Sequence, residues 1–265
     1  MVSLILLIPN MKSVLITGST SGIGLGIAIE FAKVGYSIAF CGLDENALEI
    51  SEKVGKDYAV KTVFYDTNLM NSDEIKDLIH SVEKDFGGID VLVNNAGIQY
   101  VSPIEDFPIN KWDEIIQLNL NAVFYASKFV WKGMKDRKFG RIINIASAHG
   151  LVASEYKSAY VAAKHGVIGL TKVLALEGAP FGITSNAICP GYVKTPLVEK
   201  QIIDQSIAHG ISEEEVVSKI MLQKHAIKDF VSVESIGKLV VFLASNEASL
   251  ITGTAMPIDG GWIAQ

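Results

Sequence analysis

Short apolar runs alternate along this chain with longer segments in which apolar residues recur every three to four positions. The short runs predict buried strands, and the longer period predicts amphipathic helices. Strands are predicted at Ser13–Thr17, Ser37–Cys41, Lys61–Tyr65, Val91–Asn94, Arg141–Ile145, Thr184–Cys189 and Ala255–Ile258. Helices are predicted directly after Gly22 and near Glu45–Val54, Asn71–Phe86, Lys111–Lys135, Ser158–Ala179 and Val233–Ala244.

This alternation predicts βαβ units and therefore an α/β fold: a doubly wound (Rossmann-type) parallel sheet with helices on both faces. At 265 residues the chain is near the upper limit for one hydrophobic core, so we interpret residues 11–265 as a single domain. Residues 194–229 form a polar, glutamate-rich insertion before the last strand. We predict a small helical lid there, because such long insertions in compact domains are usually lids or binding loops.

The first ten residues are interpreted as an N-terminal extension outside the core fold, because Met11 stands directly before the first strand. A packed or interfacial arm is the alternative. The segment Val2–Ile8 is almost wholly apolar, but it is too short to span a bilayer. It also lacks the basic region and the cleavage site of a secretory signal. We therefore expect no membrane partner.

The charge balance narrows the class of partner. The formal net charge is −6 and the isoelectric point is about 5.4, with no basic stripe, which argues against nucleic acid. Cys41 and Cys189 are too few for a disulfide framework and lack metal-ligand spacing, so no metal site is expected. A reducing, cytoplasmic setting is the simplest interpretation.

A glycine-rich turn, Gly18-Ser19-Thr20-Ser21-Gly22-Ile23-Gly24, follows the first predicted strand and opens the first predicted helix. That order is the context of a dinucleotide-binding fingerprint. Gly18 would allow the tight turn, Gly22 would let the backbone approach a pyrophosphate, and Gly24 would let helix and strand pack closely. The helix N-terminus would offer unpaired N–H groups to the phosphates. A glycine-rich turn without a ligand is the alternative.

Tyr160 and Lys164 are four residues apart in a predicted helix, so their side chains share one face. A neighbouring ammonium favours the phenolate, and a tyrosine pKa lowered from about 10 by roughly 3 units would suit a general acid/base at neutral pH. We therefore expect Lys164 to lower the pKa of Tyr160. Taken alone, the pair is also typical of an ordinary helix.

From Met11 to the C-terminus the chain resembles the short-chain dehydrogenase/reductase family. The resemblance rests on Thr17-Gly18-Ser19-Thr20-Ser21-Gly22-Ile23-Gly24, Asn94-Asn95-Ala96-Gly97, Ser147, Tyr160-Val161-Ala162-Ala163-Lys164 and Pro190-Gly191, all in the family's order. It implies a nicotinamide-dependent oxidoreductase whose domain binds a dinucleotide on a seven-stranded sheet, commonly as a homotetramer. A catalytically silent dinucleotide-binding protein is the alternative from another class.

The same resemblance implies the catalytic residues Asn119, Ser147, Tyr160 and Lys164. Tyr160 would remove the hydroxyl proton while a hydride passes to the nicotinamide, and Ser147 would hydrogen-bond the substrate oxygen. Lys164 would also hold the nicotinamide ribose. Asn119 would anchor a water that links Lys164 to solvent, and Asn121 is the rival for that role.

Cofactor identity depends on the end of the second strand, where an acid favours NAD and a base favours NADP. Gly42 stands there, so neither choice is made cleanly, but no base occurs nearby and NAD is favoured. The residues expected at the cofactor are Gly18, Thr20, Ser21, Gly22, Ile23, Gly24, Asp66, Asn94, Ala96, Gly97, Tyr160, Lys164, Pro190, Gly191, Val193 and Thr195. Among them, Asp66 matches the family position that hydrogen-bonds the adenine amino group.

Polar residues around the expected active site indicate a small anionic substrate, since an amine, an imidazole and two amides suit a carboxylate. The predicted substrate residues are Gln99, Ser147, His149, Lys157, Tyr160, Gln201 and Trp262. The set is similar to that of the family's D-3-hydroxybutyrate dehydrogenases, which implies interconversion of (R)-3-hydroxybutyrate and acetoacetate. Another small hydroxy acid or a polar secondary alcohol is the alternative.

Overall fold

A computed structural model describes residues 12–264, apart from the side chains of residues 196, 197, 200, 204, 208 and 209. The N-terminal extension that we predict at residues 1–10 lies outside the described residues. That prediction therefore stays a prediction.

Seven parallel strands form one sheet in the order β3-β2-β1-β4-β5-β6-β7. The strands are β1 (Ser13–Thr17), β2 (Ser37–Gly42), β3 (Thr62–Asp66), β4 (Val91–Asn94), β5 (Gly140–Ile145), β6 (Ile183–Pro190) and β7 (Ala255–Ile258). Each predicted strand is present, with ends that differ by one residue at most. The doubly wound α/β fold is confirmed.

The helices are α1 (Gly22–Lys33), α2 (Ala47–Tyr58), α3 (Ser72–Phe86), α4 (Ile109–Ile116), α5 (Ala122–Arg137), α6 (Ser158–Gly178), α7 (Pro196–His209), α8 (Glu213–Val216) and α9 (Val233–Ala244). One difference from the sequence prediction concerns the helix expected over residues 111–135. It is divided into α4 and α5 by a π-helical turn at Gln117–Asn121.

Two apolar layers bury the sheet. On one face, α1 packs over β1 and β2 and the adjoining α9 packs over β5 and β6, with Phe31, Phe40 and Val240 fully buried. On the other face, Ile75 of α3 and Met134 of α5 are fully buried. Strands buried on both faces need continuous apolar runs, which is why the strand sequences show no alternation.

The order in which strands are added to the sheet reverses at β1. This strand pairs with β2 on one side and with β4 on the other. In doubly wound folds, ligands bind in the crevice outside the carboxyl ends of the strands at that point. The glycine-rich turn after β1 and the Asn95–Gly97 segment after β4 both lie there. The fold thus brings the predicted cofactor motifs to one edge of the sheet.

The predicted helical insertion contains α7, α8 and a second π-helical turn at Val217–Met221. Its two ends are tied together, since Val193 and Val231 form a parallel bridge and the Val231 N–H donates to the Tyr192 carbonyl at 2.9 Å. A capping box of Ser212 and Glu215 starts α8. The insertion is helical as predicted, and its action as a lid stays a prediction.

Among the described residues, one helical stretch, Ser158–Phe181, is long and apolar enough by length and composition alone to cross a membrane. It contains α6, which packs against β6 and carries the buried Lys164. A helix that supports the core of a folded domain passes the same test, so this stretch is explained by its packing.

Candidate active site

Two adjoining cavities open at the carboxyl ends of the strands. The glycine-loop cavity, of about 530 Å³, lies over the Gly18–Gly22 turn and reaches Leu43 and Met70. The tyrosine cavity, of about 450 Å³, lies over Tyr160. The two cavities share five lining residues: Ile23, Asn95, Gly97, Ile98 and Thr195. The two cavities therefore form one continuous site.

The glycine-rich turn has the backbone that a dinucleotide loop needs. Gly18 and Gly22 have φ values of 62° and 51°, in the left-handed region that favours glycine. A Cβ on Gly24 would run into the carbonyl oxygen of Gly18, so Gly24 lets α1 start close to β1. Asn95 holds the turn from the next strand, donating to the carbonyls of Thr17 (3.0 Å) and Gly18 (2.9 Å).

The N-terminus of α1 is open to an anion. The Ser21 side chain accepts no hydrogen bond from the first turn, and no acidic residue lies in that turn. The first N–H groups of a helix carry a partial positive charge and lack intrahelical partners. No Lys or Arg is among the described residues of the glycine-loop cavity. These features fit the pyrophosphate of a dinucleotide and offer no counter-charge for a further phosphate.

The structure brings most of the predicted cofactor residues together. The glycine-loop cavity is lined by Gly18, Thr20, Ser21, Gly22, Ile23, Ala96, Gly97 and Thr195. The tyrosine cavity is lined by Tyr160, Lys164, Pro190, Gly191 and Val193.

Three predicted cofactor residues do not line either cavity. Gly24 serves the helix–strand contact described above. Asn94 is buried, and its amide donates to Asn144 Oδ1 at 2.8 Å inside the protein. Asp66 ends β3 beside Gly42, while Thr67 and the residue after it face the cavity. For Asn94 the structure thus shows a positioning contact, and Asn95, which our sequence reasoning missed, lines both cavities.

Tyr160 and Lys164 lie in the first turns of α6 and both line the tyrosine cavity. Their spacing places them on one face of the helix, as predicted. Lys164 Nζ donates to the Ile145 carbonyl at 2.8 Å and lies 5.6 Å from the centroid of the Tyr160 ring. Ser147, which follows β5, hydrogen-bonds the Tyr160 hydroxyl. The three polar groups converge on one end of the cavity.

The sequence predicted that the pKa of Tyr160 is lowered. In the protein without ligands this prediction is wrong, because the pKa is raised. Burial raises the pKa of Tyr160, and the Ser147 hydrogen bond opposes that rise only in part. Burial also lowers the pKa of Lys164 to about 8. The reason is that desolvation penalises both charged forms, and the ammonium is bonded to the Ile145 carbonyl. The spacing of four residues between Tyr160 and Lys164 could not show how deeply the two side chains are buried.

Asn119 is fully buried at the π-helical turn between α4 and α5. Its Oδ1 accepts from the Ile98 N–H at 2.9 Å, and its Nδ2 donates to the Ile98 carbonyl at 2.8 Å. It does not line either cavity. Asn121, the rival candidate, is only half-buried and donates to Gln117 Oε1. Asn119 therefore fixes the segment that forms the wall common to both cavities.

All the residues predicted for the substrate come together. The tyrosine cavity is lined by Gln99, Ser147, His149, Lys157, Tyr160, Gln201 and Trp262. They come from four separate segments of the chain, including α7 of the insertion. No Asp or Glu is among the described residues that line this cavity. The cavity therefore presents two amines, Lys157 and Lys164, and several neutral hydrogen-bonding groups.

His149 is buried and neutral. Its backbone N–H donates to Ser147 Oγ at 3.1 Å, and its ring Nε2 lies 2.9 Å from Ser154 Oγ. Burial, with smaller contributions from Lys157 and Lys224, lowers the pKa of His149 to about 4. At neutral pH its ring is thus a hydrogen-bonding group without charge, and it positions Ser147.

Lys157 is the second amine of the cavity, beside Lys164, which is bonded to the Ile145 carbonyl. Burial lowers the pKa of Lys157, and the positive charge of Lys224 lowers it further. Lys157 Nζ lies 5.8 Å from the centroid of Tyr192, within range of a cation–π contact. An anionic ligand beside this amine would offset both effects, because an opposite charge favours the ammonium.

An aromatic wall closes the cavity opposite Lys164. The rings of Tyr192 and Trp262 are nearly parallel, with centroids 5.7 Å apart, and His149 meets Trp262 edge-on at 5.0 Å. His225 packs behind Trp262 with a centroid distance of 5.4 Å. Tyr192 and His225 were missed by sequence reasoning, since neither belongs to a recognisable motif.

The comparisons with known proteins agree with this geometry. A family model described as short chain dehydrogenase matches residues 12–206. The chain belongs to the short-chain dehydrogenase family. A short-chain dehydrogenase from Rhizobium meliloti (strain 1021), named D-beta-hydroxybutyrate dehydrogenase, is 49% identical over 256 residues, which cover 96% of this chain and 99% of that protein.

Two further relatives show the range of names within the family. A D-beta-hydroxybutyrate dehydrogenase from Cupriavidus necator is 46% identical over 97% of this chain and 99% of that protein. An acetoacetyl-CoA reductase from Shinella zoogloeoides is 37% identical over 93% of this chain and 96% of that protein. As a short-chain dehydrogenase, the protein is an oxidoreductase. In residues 12–264 no group of three or more His, Cys, Asp or Glu is arranged to hold a metal ion.

Proposed function

We propose that this short-chain dehydrogenase uses NAD to interconvert (R)-3-hydroxybutyrate and acetoacetate. The observation that carries the proposal is the half-buried amine of Lys157 in the cavity that Tyr160 also lines, where no Asp or Glu is among the described lining residues. Two relatives at 49% and 46% identity are named D-beta-hydroxybutyrate dehydrogenases, which supports the substrate and its D configuration.

The substrate carboxylate is bound by groups that match its charge. Lys157 donates a charge-assisted hydrogen bond, and the amides of Gln99 and Gln201 donate further bonds. The aromatic wall of Tyr192 and Trp262 packs against the short carbon chain and excludes water. Binding raises the pKa of Lys157 back toward its ordinary value, because the carboxylate favours the ammonium.

The dinucleotide is held by the glycine-loop cavity. The N–H groups at the start of α1 would hold the pyrophosphate, and Thr195 and Val193 would hold the nicotinamide end. Lys164 would hydrogen-bond the adjoining ribose hydroxyls. When bound, the dinucleotide would supply a hydride acceptor for oxidation of the substrate and a hydride donor for the reverse reaction. The absence of Lys and Arg from the described lining favours NAD over NADP.

Tyr160 transfers the proton. In oxidation its phenolate oxygen takes the proton of the C3 hydroxyl, and in reduction the phenol returns it. Ser147 donates a hydrogen bond to the same substrate oxygen and so stabilises charge that develops there. Lys164 is the nearest cation and favours the phenolate against the opposing effect of burial. Asn119, whose side chain is bonded to the Ile98 backbone, is proposed to hold the wall of the site, and the water that the resemblance implies beside it stays a prediction.

We also propose a homotetramer in the cytoplasm. Large apolar side chains are exposed on three helices, including Trp112 of α4, Phe124 of α5 and Leu176 of α6, which is 79% exposed. Such side chains mark interaction surfaces where they lie together. Copies of the chain are the partners proposed for them, and neither nucleic acid nor a membrane is proposed.

The test is NADH formation from both enantiomers of 3-hydroxybutyrate, beside 2-hydroxybutyrate and butan-2-ol. The proposal predicts the highest kcat/KM with the (R)-3-hydroxy acid. A higher kcat/KM with the uncharged alcohol would refute the carboxylate site. A preference for 2-hydroxybutyrate would instead make the enzyme a dehydrogenase of another small hydroxy acid.

A further inference from the structure

A buried histidine that the proposed reaction does not use lies behind the aromatic wall. His225 belongs to the insertion, after its π-helical turn, and is 1% exposed. It is not among the described residues that line either cavity. Its ring centroid lies 5.4 Å from that of Trp262 and 5.9 Å from that of Tyr192. The two rings of the wall are therefore backed by a third ring from the insertion.

The space for the His225 ring depends on two glycines. A Cβ on Gly191, directly before Tyr192, would lie 2.7 Å from His225 Nε2. A Cβ on Gly260 would lie 3.1 Å from His225 Cδ2. The ring thus fills the space between the segment after β6, which carries Tyr192, and the segment after β7, which carries Trp262.

Packing contributes more than hydrogen bonding to the place of this ring. His225 Nε2 accepts from the Tyr192 N–H at 3.5 Å, which is long, and its Nδ1 is buried with no hydrogen-bond partner among the described residues. The backbone beside it is fixed, since the Ile227 N–H donates to the Gly260 carbonyl at 2.8 Å. The shape and position of the ring therefore explain the residue better than its polar atoms do.

We propose that His225 sets the depth of the substrate cavity and so restricts the enzyme to short 3-hydroxy acids. This inference rests on the proposed function and names the residue that limits the chain length of its substrate. The carboxylate is bound at Lys157 and the reacting carbon lies at Tyr160, so each further methylene group extends toward the aromatic wall. His225 is a positioning residue, because it acts by holding Tyr192 and Trp262 against the substrate.

The test is the ratio of kcat/KM for (R)-3-hydroxybutyrate to kcat/KM for (R)-3-hydroxypentanoate, which has one more methylene group. The wild type should favour the shorter acid by about 10-fold to 200-fold, the range that one methylene group produces at an apolar pocket. His225→Ala should lose most of this preference, because the wall can then move into the space behind it. A purely structural role would lower kcat for both acids by the same factor and leave the ratio unchanged.

Three further variants make the result specific to the His225 ring. His225→Gln keeps much of the side-chain length and an acceptor for the Tyr192 N–H, so it should retain most of the preference. His225→Thr removes less of the side chain than alanine does, should give an intermediate ratio, and carries the test if His225→Ala does not fold. His80→Ala, the same change at an exposed position of α3, should leave the ratio at the wild-type value.

Two results would overturn the inference while the proposed function stands. One is a wild type that oxidises both acids with equal kcat/KM, since the wall then sets no limit. The other is a wild-type ratio in folded His225→Ala or His225→Thr. If the wild type oxidises neither acid, the proposed function fails together with the inference.

Discussion

Lys164 Nζ bonds to the carbonyl oxygen of Ile145 at 2.8 Å while lying 5.6 Å from the centroid of the Tyr160 ring. The bond to Ile145 therefore fixes the amine at the end of β5, within cation–π range of the Tyr160 ring. Burial raises the pKa of Tyr160 and lowers that of Lys164 to about 8. The phenol thus depends on a cation that itself loses charge above about pH 8.

Replacing Lys164 by Met should move the pH profile of the reaction upward. Without the ammonium, only the Ser147 hydrogen bond opposes the effect of burial on the pKa of Tyr160, so this pKa should rise and the phenolate should form at higher pH. We expect the pH at half-maximal kcat/KM for oxidation to increase and kcat at pH 8 to fall. Lys172→Met, an exposed lysine on the same helix, is the matched control. An unchanged profile in Lys164→Met would remove the cation from the account.

Replacing Tyr160 by Phe should lower kcat by about 10³-fold, because a positioned general acid/base contributes roughly 10²–10⁴-fold. NADH binding should change little, since the ring is retained. Steady-state kinetics and NADH fluorescence titration measure the two effects separately. Tyr58→Phe, on α2, serves as the control. Comparable turnover in Tyr160→Phe would mean that another group moves the proton.

Asn119 should matter for stability as well as for activity. Asn119→Ala removes both hydrogen bonds to the backbone of Ile98, and each such bond contributes about 0.5–1.5 kcal/mol net. We expect urea denaturation to show a loss of about 2 kcal/mol. Asn121→Ala removes one half-buried bond to Gln117 and should cost less. Equal losses from the two variants would contradict the assignment of the buried role to Asn119.

The insertion at residues 194–229 should become protected when substrate binds. Val198 and Gln201 of α7 line the tyrosine cavity, so a ligand there contacts the insertion directly. Hydrogen exchange with NADH and 3-hydroxybutyrate, a pair that cannot turn over, should slow in α7 and stay unchanged in α2. Equal exchange in α7 with and without the ligands would rule out a lid.

Much of the fold could be predicted because the strands are buried on both faces. Runs such as Val14-Leu15-Ile16 have no amphipathic period, so a parallel sheet was the one architecture that suited them. The π-helical turn at Gln117–Asn121 could not be predicted, because its residues continue the helical pattern of their neighbours. It depends on the tertiary bonds between Asn119 and Ile98.

The candidate site was predicted where residue type and chemistry coincide, as for Lys157, His149 and Tyr160. Site residues were missed where their place in the site depends on tertiary contacts alone. Tyr192 belongs to no motif, and only the parallel contact with Trp262 shows its place in the wall. The direction in which the pKa of Tyr160 shifts depends on the burial of its side chain. The spacing of four residues between Tyr160 and Lys164 does not reveal that burial.

The central claim is that Lys157 selects a carboxylate beside Tyr160, and one comparison tests it most directly. The measurement is kcat/KM for (R)-3-hydroxybutyrate relative to its uncharged methyl ester, in the wild type and in Lys157→Met. A charge-assisted hydrogen bond contributes about 1.5–3 kcal/mol, so the wild type should prefer the acid by about 10-fold to 100-fold and the variant should lose that preference. If Lys157→Met retains the wild-type preference for the acid, the carboxylate is bound elsewhere and the account is wrong.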